Sequence, residues 1–195
     1  MEVFSKQSGL SYWIYIRLIM QSPVFFIVSP KGGQYVNNND SIIRNVSIEE
    51  AKDVNRVGVV KSIPTAYKTI VDVGDEIVVH HNTFRITFDV KGVPVHSNSY
   101  IKDDLYFVFP EMIYMVIKPN GDKISLDPFC FVEPLVEEGA DVPNVGILRY
   151  GNKFTKEIGI EEGTKVLLKD YSNYEFNFDN ERLYRVRNNQ LLGTC

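Results

Sequence analysis

The pair of segments Val57-Gly58-Val59-Val60-Lys61 and Val71-Asp72-Val73-Gly74-Asp75-Glu76-Ile77-Val78-Val79 is met twice in this chain. The second copy reads Val145-Gly146-Ile147-Leu148-Arg149 followed by Gly159-Ile160-Glu161-Glu162-Gly163-Thr164-Lys165-Val166-Leu167-Leu168. Internal repetition decides the architecture before any motif does. In each copy a β-branched strand runs through a polar connection into an acidic turn. A glycine in that turn suits a backbone position of positive φ and releases a second apolar strand, Ile77 to Val79 or Val166 to Leu168.

The flanks repeat as well. Upstream lie Val24-Phe25-Phe26-Ile27-Val28-Ser29-Pro30 and Phe129-Cys130-Phe131-Val132-Glu133-Pro134, each read as a short apolar strand stopped by proline. Downstream lie Leu105 to Val108 with Met112 to Ile117, and Leu183 to Val186 with Gln190 to Leu192. The sequence therefore predicts one unit used twice, running strand, loop, strand, acidic glycine turn, strand, hairpin, strand, strand.

This order of parts resembles the co-chaperonin family of GroES-like β-barrels. Val71-Asp72-Val73-Gly74-Asp75-Glu76-Ile77-Val78 matches that family's Val-x-Val-Gly-Asp turn, and Ile158 to Val166 matches it with Thr164 in place of the aspartate. The fold expected is all-β: two GroES-like small β-barrel repeats in tandem with an N-terminal extension. The extension is residues 1–21, the first repeat 22–118, a linker 119–126 and the second repeat 127–195. The resemblance implies a co-chaperonin-like binding protein that caps or docks a chaperonin ring and assists protein folding.

Composition agrees with an ordinary globular chain. Of 195 residues, 44% are hydrophobic and 24% charged, which excludes a disordered reading and suits two units of about 90 residues each. A net charge of −4 offers no electrostatic case for nucleic acid. Two cysteines, Cys130 in an apolar strand and Cys195 at the end, make no disulfide framework, so a reducing cytosol is expected. The apolar run Leu10 to Met20 is interrupted by Arg17 and falls short of the about 20 residues a membrane span needs. It reads as an added strand or short helix, and Tyr12 to Met20 as an arm suited to pairing with a neighbouring subunit.

Residues 31–57 form the longest polar segment, against only 135–145 at the same place in the second copy. Loops of this length in small domains are commonly functional. Ser47-Ile48-Glu49-Glu50 has the form of a helix capping box. In the resembling family this position holds the mobile loop that docks a few aliphatic side chains after a Gly-Gly pair. Gly32-Gly33 followed by Tyr35-Val36, or Ile42-Ile43, are the partner-binding candidates that the resemblance implies, within residues 32–43. A surface loop packing its own isoleucines is the plainer reading.

Phe84 to Val90 alternates apolar and polar residues as a half-buried strand does, turning at Lys91-Gly92 toward Val93-Pro94-Val95. In family terms it is an enlarged roof hairpin, with Tyr174 to Phe178 as its counterpart. Catalytic constellations are thin. His80 and His81, if on a strand, point to opposite faces, so at most one can join His96 around a metal. Cys130 reads as a core residue, the acidic pairs as solvated turn groups, and Gly32-Gly33 lacks the lysine and helix of a phosphate loop. A dehydrogenase built on the same barrel would need a Rossmann fingerprint, which is missing. No catalytic role, cofactor, metal, nucleic acid or membrane partner is expected. The partners are a chaperonin ring or other subunits, with self-association. The alternative is a structural component of a larger assembly, such as a virus particle.

Overall fold

The computed structural model describes residues 21–32, 55–172, 174–178 and 181–195. Fifteen strands are formed by these residues. In chain order they are β1 (Phe26–Pro30), β2 (Val57–Ser62), β3 (Glu76–Val79), β4 (Ile86–Phe88), β5 (Pro94–His96), β6 (Tyr100–Lys102), β7 (Leu105–Val108) and β8 (Ile113–Ile117). There follow β9 (Lys123–Ser125), β10 (Phe129–Glu137), β11 (Ala140–Tyr150), β12 (Lys165–Leu168), β13 (Tyr174–Phe178), β14 (Glu181–Arg187) and β15 (Leu191–Thr194). One short helix, α1 (Lys153–Glu157), lies between β11 and β12. All pairings are antiparallel and the chain is predominantly β. Among the described residues no helix is long and apolar enough to cross a membrane.

Seven strands form one sheet in the order β6-β7-β1-β2-β3-β8-β9, and six form another in the order β13-β14-β10-β11-β12-β15. The second order is the first without β9, each strand replaced by its counterpart. Register agrees residue by residue. Val28 faces Val60 and Pro30 faces Gly58, as Val132 faces Leu148 and Pro134 faces Gly146, with a bulge at the same step in both pairs. Gly58 faces Ile77 as Gly146 faces Val166.

The acidic turn repeats its hydrogen bonds. Val60 N donates to Asp75 O and Leu148 N to Thr164 O, both at 2.9 Å; Gly74 N returns to Val60 O at 2.9 Å and Gly163 N to Leu148 O at 2.7 Å. Gly74 and Gly163 both take positive φ, +96° and +87°, the conformation expected of them from sequence. A different constraint acts at Gly58 and Gly146. A Cβ on Gly58 would lie 2.7 Å from the Phe84 ring, and one on Gly146 would press on Val132 and lie 2.6 Å from the Glu133 carbonyl oxygen.

Each sheet buries its own apolar face. The first gathers Phe26, Val28, Val60, Ile77, Phe84 and Tyr106, the second Cys130, Val132, Leu148, Val166 and Val186. A third cluster joins the two sheets: Val78, Tyr114 and Met115 of the first meet Phe129, Phe131 and Leu183 of the second.

Several sequence expectations are corrected. Residues 119–126 are no linker: β9 pairs with β8 through a turn in which Gly121 N donates to Lys118 O, and Asn120-Gly121 closes that hairpin. Pro134 does not stop its strand, because the register shift beside it absorbs the missing donor and β10 continues to Glu137. The hairpin β4–β5 is a separate two-stranded sheet and its alternation does not mark a buried face. Phe84 is buried ahead of β4, whereas Val90, Val93 and Val95 are exposed. Strand order makes β13 the counterpart of β6, so β4–β5 is an insertion peculiar to the first sheet. Helix α1 occupies what reads in sequence as mere connection. Asn152 caps it by accepting from Thr155 N at 3.0 Å.

Candidate partner-binding site

Of the candidates Gly32, Gly33, Tyr35, Val36, Ile42 and Ile43, only Gly32 lies within the described residues; it has φ +78°. The arm Tyr12 to Met20 and the capping box at Ser47 also fall outside them. The site is therefore built from its base, where the chain leaves and re-enters the first sheet.

The exit and the return are held together. Lys31 N donates to Val57 O at 2.8 Å, Asn55 Nδ2 donates to Lys31 O at 3.1 Å, and Val57 N donates to Asn55 Oδ1 at 3.0 Å. Lys31 Nζ also reaches Glu76 Oε2 at 2.8 Å, an exposed ion pair of small energetic weight. Residues 33–54 thus start and end at one closed point on the sheet. At the corresponding point of the second sheet, β10 and β11 are joined by Glu138 and Gly139 alone, both at positive φ.

Next to this base, Arg56 turns inward and is 3% exposed. Its Nη1 donates to the Tyr174 hydroxyl at 3.1 Å, and its guanidinium lies 5.2 Å from that ring. The same hydroxyl meets His81 Nδ1 at 2.5 Å. Since Arg56 donates to the hydroxyl oxygen, the hydroxyl hydrogen is left for His81. Burial, then His80, Arg56, Arg85 and Arg185, push His81 down to about 4, so it accepts as a neutral ring. Burial also lowers Arg56 from its ordinary value. The Arg185 guanidinium also lies 4.4 Å from the Tyr174 ring, 4.8 Å from Tyr114 and 5.0 Å from Phe129. The base of the 33–54 segment is in this way tied to the seam between the sheets.

The histidines differ from their sequence reading. β3 ends at Val79, so strand alternation does not govern His80 and His81, whose rings stack at 4.1 Å. His96 stacks on Tyr100 at 3.8 Å instead. Among the described residues no group of three His, Cys, Asp or Glu side chains is placed to hold a metal ion. Cys130 is fully buried, and burial pushes its thiol up to about 12, which suits a core residue and not a nucleophile. Asp75 is no solvated turn group: it is 2% exposed, accepts from Asp72 N at 2.8 Å and from Lys118 Nζ at 2.7 Å.

Arg56, Tyr174 and Arg185 were not singled out by sequence reasoning. Arg56 and Tyr174 meet across more than a hundred residues, and no local spacing marks such a pair. No protein-family model matches this chain, and a search of curated proteins finds no match to it.

Proposed function

We propose that this chain is a binding protein of co-chaperonin type, in which two GroES-like units pack against one another and the first engages a chaperonin ring through residues 32–43. The observation that carries the reading is an asymmetry. Two sheets agree in strand order, register and turn hydrogen bonds, yet at one equivalent point residues 33–54 intervene in the first where the second closes a tight hairpin. A feature present in one copy and missing in its twin is not required by the fold. Its closed base, clamped by Lys31, Asn55 and Val57, lets the segment vary without disturbing the sheet.

Binding through such a segment concentrates in a few apolar anchors, because ordering a long tether is costly and only well-buried side chains offset it. Tyr35, Val36, Ile42 and Ile43 are those anchors. The test pairs thermal melting with calorimetry against a chaperonin ring. Ile42→Ser with Ile43→Ser leaves the melt nearly unchanged and weakens capture by about 2 kcal/mol or more. A lowered melt would make the isoleucines core residues. A wild type that binds no ring would leave the structural assembly component as the better reading.

A further inference from the structure

β12 ends at Leu168 and β14 at Arg187, and the two ends meet beside the short turn Asn188–Gln190. Lys169 N donates to Gln190 O at 2.9 Å, which latches the meeting point. Here lies an open cavity of about 390 Å³ lined by Lys169, Asp170, Arg185, Arg187, Asn189 and Gln190. Arg185 and Arg187 stand two apart on β14 and so share a face, with their guanidiniums 5.0 and 5.7 Å from the one Phe129 ring.

The cavity offers many donors and few acceptors. Among the described residues Lys169, Arg185 and Arg187 have no carboxylate partner, whereas Arg149 and Arg182 of the same sheet pair with Glu181 and Asp141. Arg185 Nε is buried without an acceptor. Gln190 Oε1 accepts from Arg187 N at 2.8 Å, which leaves the amide hydrogens of Gln190 to donate elsewhere. The one carboxylate, Asp170, accepts from Asn144 Nδ2. Nor does the fold require these cations. By register the first sheet carries Phe107, Phe109 and His80 in place of Arg185, Arg187 and Lys169, with the same backbone latch from His80 N to Met112 O at 3.1 Å.

We infer that this cavity binds a phosphate group, as the free ion or a small monoester, with Arg185, Arg187 and Lys169 matching its charge and Asn189 and Gln190 donating to its oxygens. Two guanidiniums beside one ring repel each other, and a bound anion relieves that repulsion. Three cations against one carboxylate suit a ligand of about two negative charges, which a phosphate monoester carries near neutral pH and a lone carboxylate does not. Planar guanidiniums with several donors also fit the geometry of phosphate oxygens. The inference does not rest on residues 33–54 or on a chaperonin.

The experiment is isothermal titration calorimetry on the full chain at fixed ionic strength, with inorganic phosphate, glycerol 3-phosphate and acetate as probes. Both phosphates are expected to bind saturably, and acetate about tenfold more weakly or worse. Tighter binding of glycerol 3-phosphate identifies a monoester as the ligand, and binding no tighter than that of inorganic phosphate identifies the free ion; each supports the site. Lys169→Gln and Arg187→Gln change exposed side chains that lack carboxylate partners among the described residues, so each should keep the wild-type melt and weaken phosphate binding about tenfold. Asp170→Asn removes the opposing charge and should tighten it. Arg149→Gln, at a cation paired with Glu181 outside the cavity, should leave it unchanged. Absence of saturable binding by either phosphate overturns the proposal. Acetate binding as tightly as phosphate, unchanged affinity in both Lys169→Gln and Arg187→Gln, or an equal loss in Arg149→Gln overturns it as well.

Discussion

Arg56 donates to the hydroxyl of Tyr174 at 3.1 Å, so the residue that leads into β2 of the first sheet is fastened to the first residue of β13 in the second. Tyr174→Phe keeps the ring beneath Arg56 and Arg185 but removes the acceptor for Arg56 and the partner of His81. The expected loss is about 1–3 kcal/mol in denaturant unfolding, since a buried guanidinium donor loses an acceptor. An unchanged midpoint would mean that water replaces the hydroxyl at no cost.

His81 gives the fold an acid limit. Its folded value of about 4 lies below its ordinary 6.5, so the unfolded chain binds the proton more readily. This contribution is complete above about pH 6.5, declines as pH falls, and is fully lost below about pH 4. Because the ring is partly exposed, its weight is on the order of 1–2 kcal/mol. His81→Gln should flatten stability against pH across that window, as followed by urea unfolding. A slope equal to that of wild type would place the acid sensitivity elsewhere.

Gly58 and Gly146 occupy equivalent positions but face different obstacles. At Gly58 a new methyl meets mainly the Phe84 ring, which can move; at Gly146 it meets the Glu133 carbonyl, which cannot without breaking the strand pair. Gly146→Ala should cost about 3 kcal/mol or more and Gly58→Ala about 1–2 kcal/mol. Calorimetric melting of the two variants decides the order, and a reversed order would contradict the close approach at Gly146.

The repeat was legible in sequence because its signals are local: a glycine after acidic residues, β-branched strands on either side, proline at the end of β1. Thus Gly74, Gly163 and the strands at Val57 to Val60 and Ile77 to Val79 follow from short spacing alone, whereas the register that sets Gly58 opposite Ile77 does not. The hairpin β4–β5 misled because alternation reports which side chains share a face, not whether anything covers that face, and nothing buries Val93 or Val95. The counterpart of β13 was misplaced for the same reason, since only the sheet order distinguishes a hairpin within the sheet from an insertion beside it. Arg56, Tyr174 and Arg185 were invisible because they meet only once the two sheets pack. Of the partner-binding candidates, Gly32 marks the base, while the argument for the others is the missing counterpart in the second sheet.

Asp75 supplies the last contrast between the copies. Its carboxylate holds Asp72 N and Lys118 Nζ at 2.8 and 2.7 Å, and Lys118 also reaches Asp72 at 2.8 Å and the Ile70 carbonyl at 2.6 Å. The second copy has Thr164 here and closes the same turn by backbone hydrogen bonds alone. The turn therefore forms without the carboxylate, but in the first copy Asp75 is buried and its removal leaves Asp72 N and Lys118 short of an acceptor. Asp75→Ala should cost about 2–3 kcal/mol, the range for a hydrogen-bonded charged group, and Asp75→Thr less, because a hydroxyl can still accept from Asp72 N. Hydrogen bonds from Lys118 to Asp72 and then Asp75 raise the lysine above its ordinary 10.5, so its contribution is full below that pH and is lost as pH rises through the raised value. Unfolding titrations in urea from neutral to alkaline pH should show wild type losing stability at the alkaline end while Asp75→Ala, already deprived of the contact, loses less. Equal alkaline slopes in the two proteins would detach Lys118 from the stability of the turn.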